Sequence, residues 1–160
     1  MQTKEDLESW YDNNDPWGYE SNKDDAYRLK KLLSLLENKY HKAIDIGAGE
    51  GFVAKHLPAD MISGIELSET AKSRFPANVI PIKEPIGKYD LVISTGTLYQ
   101  QYDHEAIYKT IIEAASHHIL IGGIKDWLID YNFGKVIKTI EFPYREFIQK
   151  MTLYEISPGA

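Results

Sequence analysis

The chain has 160 residues, 43% of them hydrophobic and 26% charged, which suits one domain of ordinary size with a genuine core. It has no cysteine, so disulfides and thiolate metal sites are excluded, and a net charge of -6 with scattered Lys and Arg argues against a nucleic-acid partner, whose phosphates call for a basic stripe. The N-terminus is polar and acidic rather than signal-like, and no run is apolar and long enough to span a bilayer, so a cytoplasmic protein without membrane contact is expected.

To about residue 21 the chain is aromatic and turn-rich, with Trp10, Tyr11 and the run Asp15-Pro16-Trp17-Gly18-Tyr19. Apolar residues at Ala26, Leu29, Leu32, Leu33 and Leu36 follow a helical period and predict a helix from Asn22 to Asn38. Ala43 to Gly47 is a short apolar run ending in glycine, hence a buried strand. A short helix is expected from Glu50 to Leu57, stopped by Pro58, and a second strand from Met61 to Glu66. Ser68 is a good N-cap for a helix to Phe75. Val79 to Ile82 reads as a weak third strand whose proline suits a sheet edge. Tyr89 to Ser94 is a strong fourth strand, followed by a helix from His104 to Ser116, a fifth strand from His118 to Ile121 and a helix from Ile124 to Asp130. Two β-rich runs, Lys135 to Phe142 and Ile148 to Ile156, close the chain as a hairpin around Pro143. Alternating strands and helices imply a doubly wound α/β domain with a parallel sheet covered on both faces. The expected organisation is one domain over residues 1–160, with an aromatic cap and helix over 1–38 and an α/β core over 43–160.

The most informative segment is Asp45-Ile46-Gly47-Ala48-Gly49-Glu50-Gly51-Phe52, which leaves a strand and opens a helix. Glycines there permit a tight turn and close approach of a ligand to the backbone. The dinucleotide fingerprint would place its third glycine at position 52; Phe52 stands there and argues against a pyrophosphate ligand. Glu66, ending the second strand, reads either as a solvated acid or as a bidentate acceptor for two ribose hydroxyls.

The pattern D-x-G-x-G-x-G followed by an acid closing the next strand resembles class I S-adenosylmethionine (SAM) dependent methyltransferases. The likeness extends from Asp15 to Ile156. Asp15-Pro16-Trp17-Gly18-Tyr19-Glu20, with the helix carrying Tyr27 and Lys30, is similar to the N-terminal segment of the nodulation chitooligosaccharide N-methyltransferase group. The resemblance implies a Rossmann-like seven-stranded sheet, mostly parallel, with an antiparallel C-terminal strand. It also implies SAM as cofactor and S-adenosylhomocysteine as product. Asp45, Gly47 and Gly49, with Ala48 and Gly51 in the same loop, would hold the methionine end, Glu66 the ribose, and Leu67 the adenine. Thr95 and Gly96, after the fourth strand, would line the methyl group and the acceptor. Trp17 and Tyr19 would form a lid over the cofactor, with core packing of these aromatics as the rival. Lys83 and Glu84 are nearest to the usual adenine-amine position, and neither matches it well. Asn14-Asp15-Pro16-Trp17 looks like the D-P-P-Y motif of DNA amino-methyltransferases. It precedes the first strand rather than following the fourth, and it lacks the second proline.

The expected reaction is methyl transfer to a nitrogen or oxygen of a small molecule, such as an amine or a sugar hydroxyl. The alternative is a SAM-binding protein without methyl transfer, either a regulatory or inactive partner of another methyltransferase or a SAM-degrading enzyme. An amine acceptor needs only to be unprotonated, whereas a hydroxyl wants a base. The best-placed candidates are His104 and Tyr99 in the loop after the fourth strand, with a polar helix start as the plain reading of His104. Lys125-Asp126-Trp127 is a weaker pocket candidate. His117-His118 lacks a metal-ligand partner at a suitable spacing, and no metal is expected.

Overall fold

The computed structural model describes residues 3–37 and 39–156. Asn38, the expected end of the long helix, lies outside the described residues, as do the outermost ends of the expected domain.

The core is a seven-stranded sheet: β1 (Tyr40–Ile46), β2 (Ala59–Ile65), β3 (Ile80–Pro81), β4 (Tyr89–Thr95), β5 (Ala115–Ile124), β6 (Lys135–Tyr144) and β7 (Phe147–Glu155). Their order across the sheet is β3-β2-β1-β4-β5-β7-β6. The pairings β1 with β2, β1 with β4, β2 with β3 and β4 with β5 are all parallel; β7 runs antiparallel to both β5 and β6. This is the expected doubly wound sheet with its antiparallel last strand. Pro81 sits on the edge strand β3, where a missing N–H is tolerated.

Strand alternation sends side chains to two cores. Leu91, Ile93, Leu120, Met151 and Leu153 face α2 (Lys23–Ser34), which contributes Leu32 with Leu35 just beyond its end. Ile44, Val92, Ile119 and Ile121 face α4 (His104–Ala114), which contributes Ile111 and Ala114. Caps fix the helix starts: Asn22 accepts from Asp24 N–H at α2, and Ser68 accepts from Ala71 N–H at α3 (Glu69–Ser73). Among the described residues, no helix is long and apolar enough to cross a membrane.

Four local expectations are corrected. The N-terminal stretch contains a helix, α1 (Lys4–Trp10), started by a capping box between Thr3 and Asp6. It has no buried residue and so no apolar period to betray it; Glu8 docks it on α3, accepting from the backbone N–H of Glu69 and from Thr70 Oγ1. The expected helix from Glu50 to Leu57 is one 3₁₀ turn, Ala54–His56, because positive φ at Gly49 and Gly51 turns the chain before Pro58 ends it. The expected helix from Ile124 to Asp130 is also absent. β5 continues through Ile124, a single turn follows, and Ile129 N–H is then captured by Leu98 C=O at 3.0 Å. The hairpin turns at Arg145 (φ +53) rather than at Pro143, which stays in β6 on the other sheet edge.

Candidate functional site

At the carboxyl ends of β1, β2 and β4 lies a cavity of about 650 Å³. Its position follows from topology: β1 and β4 lead to opposite faces of the sheet, which leaves a crevice between their outgoing loops. β1 carries Asp45 to the crevice, and the chain then bends sharply at Gly47 (φ +82) and Gly49 (φ +60). Gly47 and Ala48 donate their N–H groups to Ile65 C=O at 2.8 and 2.9 Å, which folds the loop down on β2. A Cβ on Gly47 would meet Thr97 Cγ2 at 2.5 Å, and one on Gly49 would meet the Tyr11 hydroxyl at 3.0 Å.

Glu66 stands just beyond β2 and ties two segments together. Its Oε1 accepts the Gly49 N–H at 2.8 Å and its Oε2 accepts the Ser68 N–H at 3.0 Å. Each carboxylate oxygen has capacity for a further bond, and the side chain lines the cavity. Burial pushes its pKa above the usual carboxylate range. Asp45 is more deeply buried. Its pKa is pushed up to about 7, first by burial and then by Glu66, with Arg28 pulling the other way. Its Oδ1 has no hydrogen-bond partner among the described residues.

Arg28 completes this polar end. It projects from α2 on the stripe shared by Asp25 and Leu32, and it is only 5% exposed. Its Nε lies 3.3 Å from Asp25 Oδ1, and its guanidinium sits 4.9 Å from the centre of the Tyr19 ring. Its Nη2 is buried without a partner among the described residues. Asp25 in turn accepts from the Tyr144 hydroxyl at 2.6 Å and from Arg145 Nη2 at 2.5 Å. An apolar period alone does not single out Arg28. The available signal is Asp25 and Arg28 at spacing i, i+3 in register with Leu32, two charges on the buried side of the helix. Tyr27 and Lys30, which carry part of the family likeness, are exposed, with the Tyr27 ring edge-on to Phe142 at 5.5 Å.

The aromatic segment forms a wall of the cavity. Trp17, Tyr19 and Tyr11 all line it, and none belongs to either core. Trp17 Nε1 donates to the Tyr11 hydroxyl at 3.0 Å, and the Trp17 and Tyr19 rings stack at 6.2 Å. Three side chains from the body of the domain hold the segment: Arg145 bonds Trp17 C=O at 2.9 Å, Arg74 bonds Asn13 C=O at 3.1 Å, and Lys55 pairs with Glu20 at 2.6 Å.

The remaining candidates divide. Ala48, Leu67, Thr95, Gly96 and Tyr99 line the cavity, as do Lys83 and Glu84. The Tyr99 hydroxyl accepts the Ile124 N–H at 2.8 Å, and burial pushes its pKa up to about 12, so at neutral pH it holds its proton. Gly51 does not line the cavity; it packs under the loop, where a Cβ would lie 2.7 Å from Pro76 Cδ. His104 does not line it either. Its Nδ1 is 2.6 Å from the Tyr131 hydroxyl, and the preceding Asp103 reaches the cavity wall instead. Trp127, Phe147 and Gln149 complete the far end. At the opposite end of the parallel strands, Glu37 approaches both His117 and His118. Glu37 thus supplies a ligating group that sequence spacing does not show, beside two imidazoles stacked at 3.8 Å with planes 19° apart.

No protein-family model and no curated protein matches the chain. Solved structures do match. The N-methyltransferase NodS from Bradyrhizobium japonicum WM9, in complex with S-adenosylhomocysteine, superposes with a TM-score of 0.78 at 15% identity, covering 98% of this chain and 99% of that one. Magnesium protoporphyrin IX methyltransferase (ChlM) from Synechocystis PCC 6803, with bound S-adenosylhomocysteine, gives a TM-score of 0.72 at 11% identity, covering 96% and 99%. At these identities the likeness establishes the fold, which is that of the class I methyltransferases.

Proposed function

We propose that the chain is a SAM-dependent methyltransferase acting on a nitrogen or oxygen of a small-molecule acceptor. One observation carries this reading: a carboxyl oxygen, Asp45 Oδ1, and a guanidinium nitrogen, Arg28 Nη2, are buried in the cavity lining with no hydrogen-bond partner among the described residues. Buried polar atoms left without partners are costly, and a zwitterionic amino-acid group, with an ammonium to donate and a carboxylate to accept, satisfies both at once. The rest of the cavity suits the remainder of SAM. Gly47 and Gly49 turn the loop at positive φ against the cavity with Thr97 and Tyr11 packed close on it, Glu66 keeps acceptor capacity for a ribose diol, and the 57% exposed Leu67 offers an apolar face for a purine. Three acids in the same wall, Asp45, Glu66 and Glu84, disfavour a pyrophosphate, in agreement with Phe52.

When bound, SAM supplies a methyl group already activated on a sulfonium. The chain's task is therefore chiefly to position the reactants and exclude water. Trp17, Tyr19 and Tyr11 close one side of the cavity. Tyr99, protonated at neutral pH, orients an acceptor as a hydrogen-bond donor rather than removing a proton from it. The engagement of His104 with Tyr131 favours an acceptor that arrives unprotonated, with Asp103 the carboxylate nearest the loop after β4.

The test is incubation of the purified protein with methyl-labelled SAM and fractionated cell extract. A labelled small molecule that forms only with the protein present supports the reading. SAM binding with no labelled product in any fraction would instead favour a SAM-binding protein without transfer.

A further inference from the structure

Asp25 and Arg28 stand three residues apart on the buried side of α2, a spacing that brings their side chains together. A guanidinium beside a carboxylate tends to close a fork, with Nε on one oxygen and Nη2 on the other. Here only half of that fork is made. Arg28 Nε donates to Asp25 Oδ1 at 3.3 Å, while Arg28 Nη2 has no partner among the described residues. The other oxygen is already taken: Asp25 Oδ2 accepts from Arg145 Nη2 at 2.5 Å, and Oδ1 accepts a second bond, from the Tyr144 hydroxyl, at 2.6 Å.

Arg145 reaches Asp25 from the tip of the β6–β7 hairpin, where its φ is +53. That left-handed conformation suits glycine or asparagine better than arginine, so the turn itself gives no reason for an arginine. Its side chain and backbone give three. The backbone N–H donates to Asp24 Oδ2 at 3.1 Å, and Nη2, besides holding Asp25, donates to Trp17 C=O at 2.9 Å. One residue thus joins the hairpin, the first turn of α2 and the aromatic wall of the cavity.

We infer that Arg145 is a positioning residue, which keeps Arg28 available to the ligand by occupying the oxygen that Arg28 would otherwise take. With Arg145 in place, Arg28 Nη2 stays free for a carboxylate in the cavity. Without it, Asp25 Oδ2 is a fully buried charged oxygen short of a partner, and the nearest unused donor is Arg28 Nη2. Arg28 then closes its fork on Asp25 and is lost to the cavity. Because one nitrogen of Arg145 holds both Asp25 and Trp17 C=O, the placing of the aromatic wall and the freedom of Arg28 are set together. That the ligand's carboxylate is the one on SAM rests on the methyltransferase reading; the exchange of partners on Asp25 does not.

The test is a double-mutant cycle on S-adenosylhomocysteine affinity, joined to one spectroscopic signal. Arg145→Asn removes the guanidinium and tolerates the left-handed turn. It should weaken S-adenosylhomocysteine about tenfold, the equivalent of about 1.4 kcal/mol. In an Arg28→Met background the same change should cost less than about twofold, because Arg145 acts through Arg28. In ligand-free ¹⁵N-labelled protein, Arg145→Asn should move the Arg28 Nε–H resonance downfield as the fork closes. Native-like affinity in Arg145→Asn, an equal loss in both backgrounds, or an unmoved Arg28 resonance would overturn the proposal. Should Arg145→Asn fail to fold, Arg145→Gly carries the same expectations, since glycine adopts the turn without strain. In the native protein, S-adenosylhomocysteine should shift the Arg28 Nε–H more than that of Arg145, and the reverse order would also overturn it. A native protein that binds no S-adenosylhomocysteine sinks the cofactor reading instead, and the ligand-free Arg28 resonance still decides the exchange on Asp25.

Discussion

Replacing Asp45 by Asn should make the protein more stable and a worse ligand binder. The native carboxyl is 3% exposed and its pKa is pushed from 3.8 to about 7. Between those values the folded state holds a proton that the unfolded state has lost, so stability falls as pH rises through this window and levels off above it. At 1.36 kcal/mol per unit, the loss is of the order of 4 kcal/mol. Asparagine keeps the shape and never ionises. Denaturant titrations from pH 4 to pH 8 should therefore show the two proteins nearly equal at the acid end, with the Asn variant ahead at neutral pH. Glu66, also raised, contributes a slope of the same sign in both proteins, smaller in the variant because the neighbouring Asp45 charge is gone. Calorimetry should show the opposite order for S-adenosylhomocysteine, whose ammonium loses a charged partner worth about 1.5–3 kcal/mol. Because that ammonium favours the ionised carboxyl, binding to the native protein below pH 7 should release a proton to the buffer. A stability gap that does not vary with pH, or a variant that binds S-adenosylhomocysteine as well as the native protein, would refute the argument.

Arg28→Met should weaken S-adenosylhomocysteine by a similar 1.5–3 kcal/mol while leaving adenosine unaffected, since adenosine lacks the amino-acid end; equal losses for both ligands would contradict the assignment. Glu66→Gln should lower affinity for both, because both carry the ribose, and melting curves should show the fold retained; unchanged adenosine binding would exclude ribose recognition there. Gly49→Val places a branched side chain at φ +60 and 3.0 Å from the Tyr11 hydroxyl, so a folded variant without detectable ligand binding is expected in a calorimetric titration. Trp17→Ala should reduce methyl transfer more than melting temperature. A loss of 3–5 kcal/mol of stability with full activity per folded molecule would return Trp17 to a core role.

The sheet was legible because its strands are either short apolar runs or alternate cleanly, and because glycine, proline and serine mark where elements stop. Asp45, the glycine loop and Glu66 were legible because the loop is local: one strand, one turn and the next strand's end place all three. What escaped depends on contacts far apart in sequence. α1 has no buried face, so its reason to exist is the docking of Glu8 on α3, 61 positions away. Arg28 looks like any helix arginine until Tyr144 and Arg145, more than a hundred residues later, fill the other side of Asp25. His104 looked well placed from its position after β4, but its partner Tyr131 comes from a segment expected to follow a helix that does not form.

The central claim is that the crevice between the β1 and β4 loops holds SAM, and isothermal titration of the purified protein with S-adenosylhomocysteine and, separately, with NAD tests it most directly. The account predicts saturable one-site binding of S-adenosylhomocysteine, weakened in Asp45→Asn and Arg28→Met, and no heat of binding from NAD. Saturable binding of NAD with none of S-adenosylhomocysteine would contradict it.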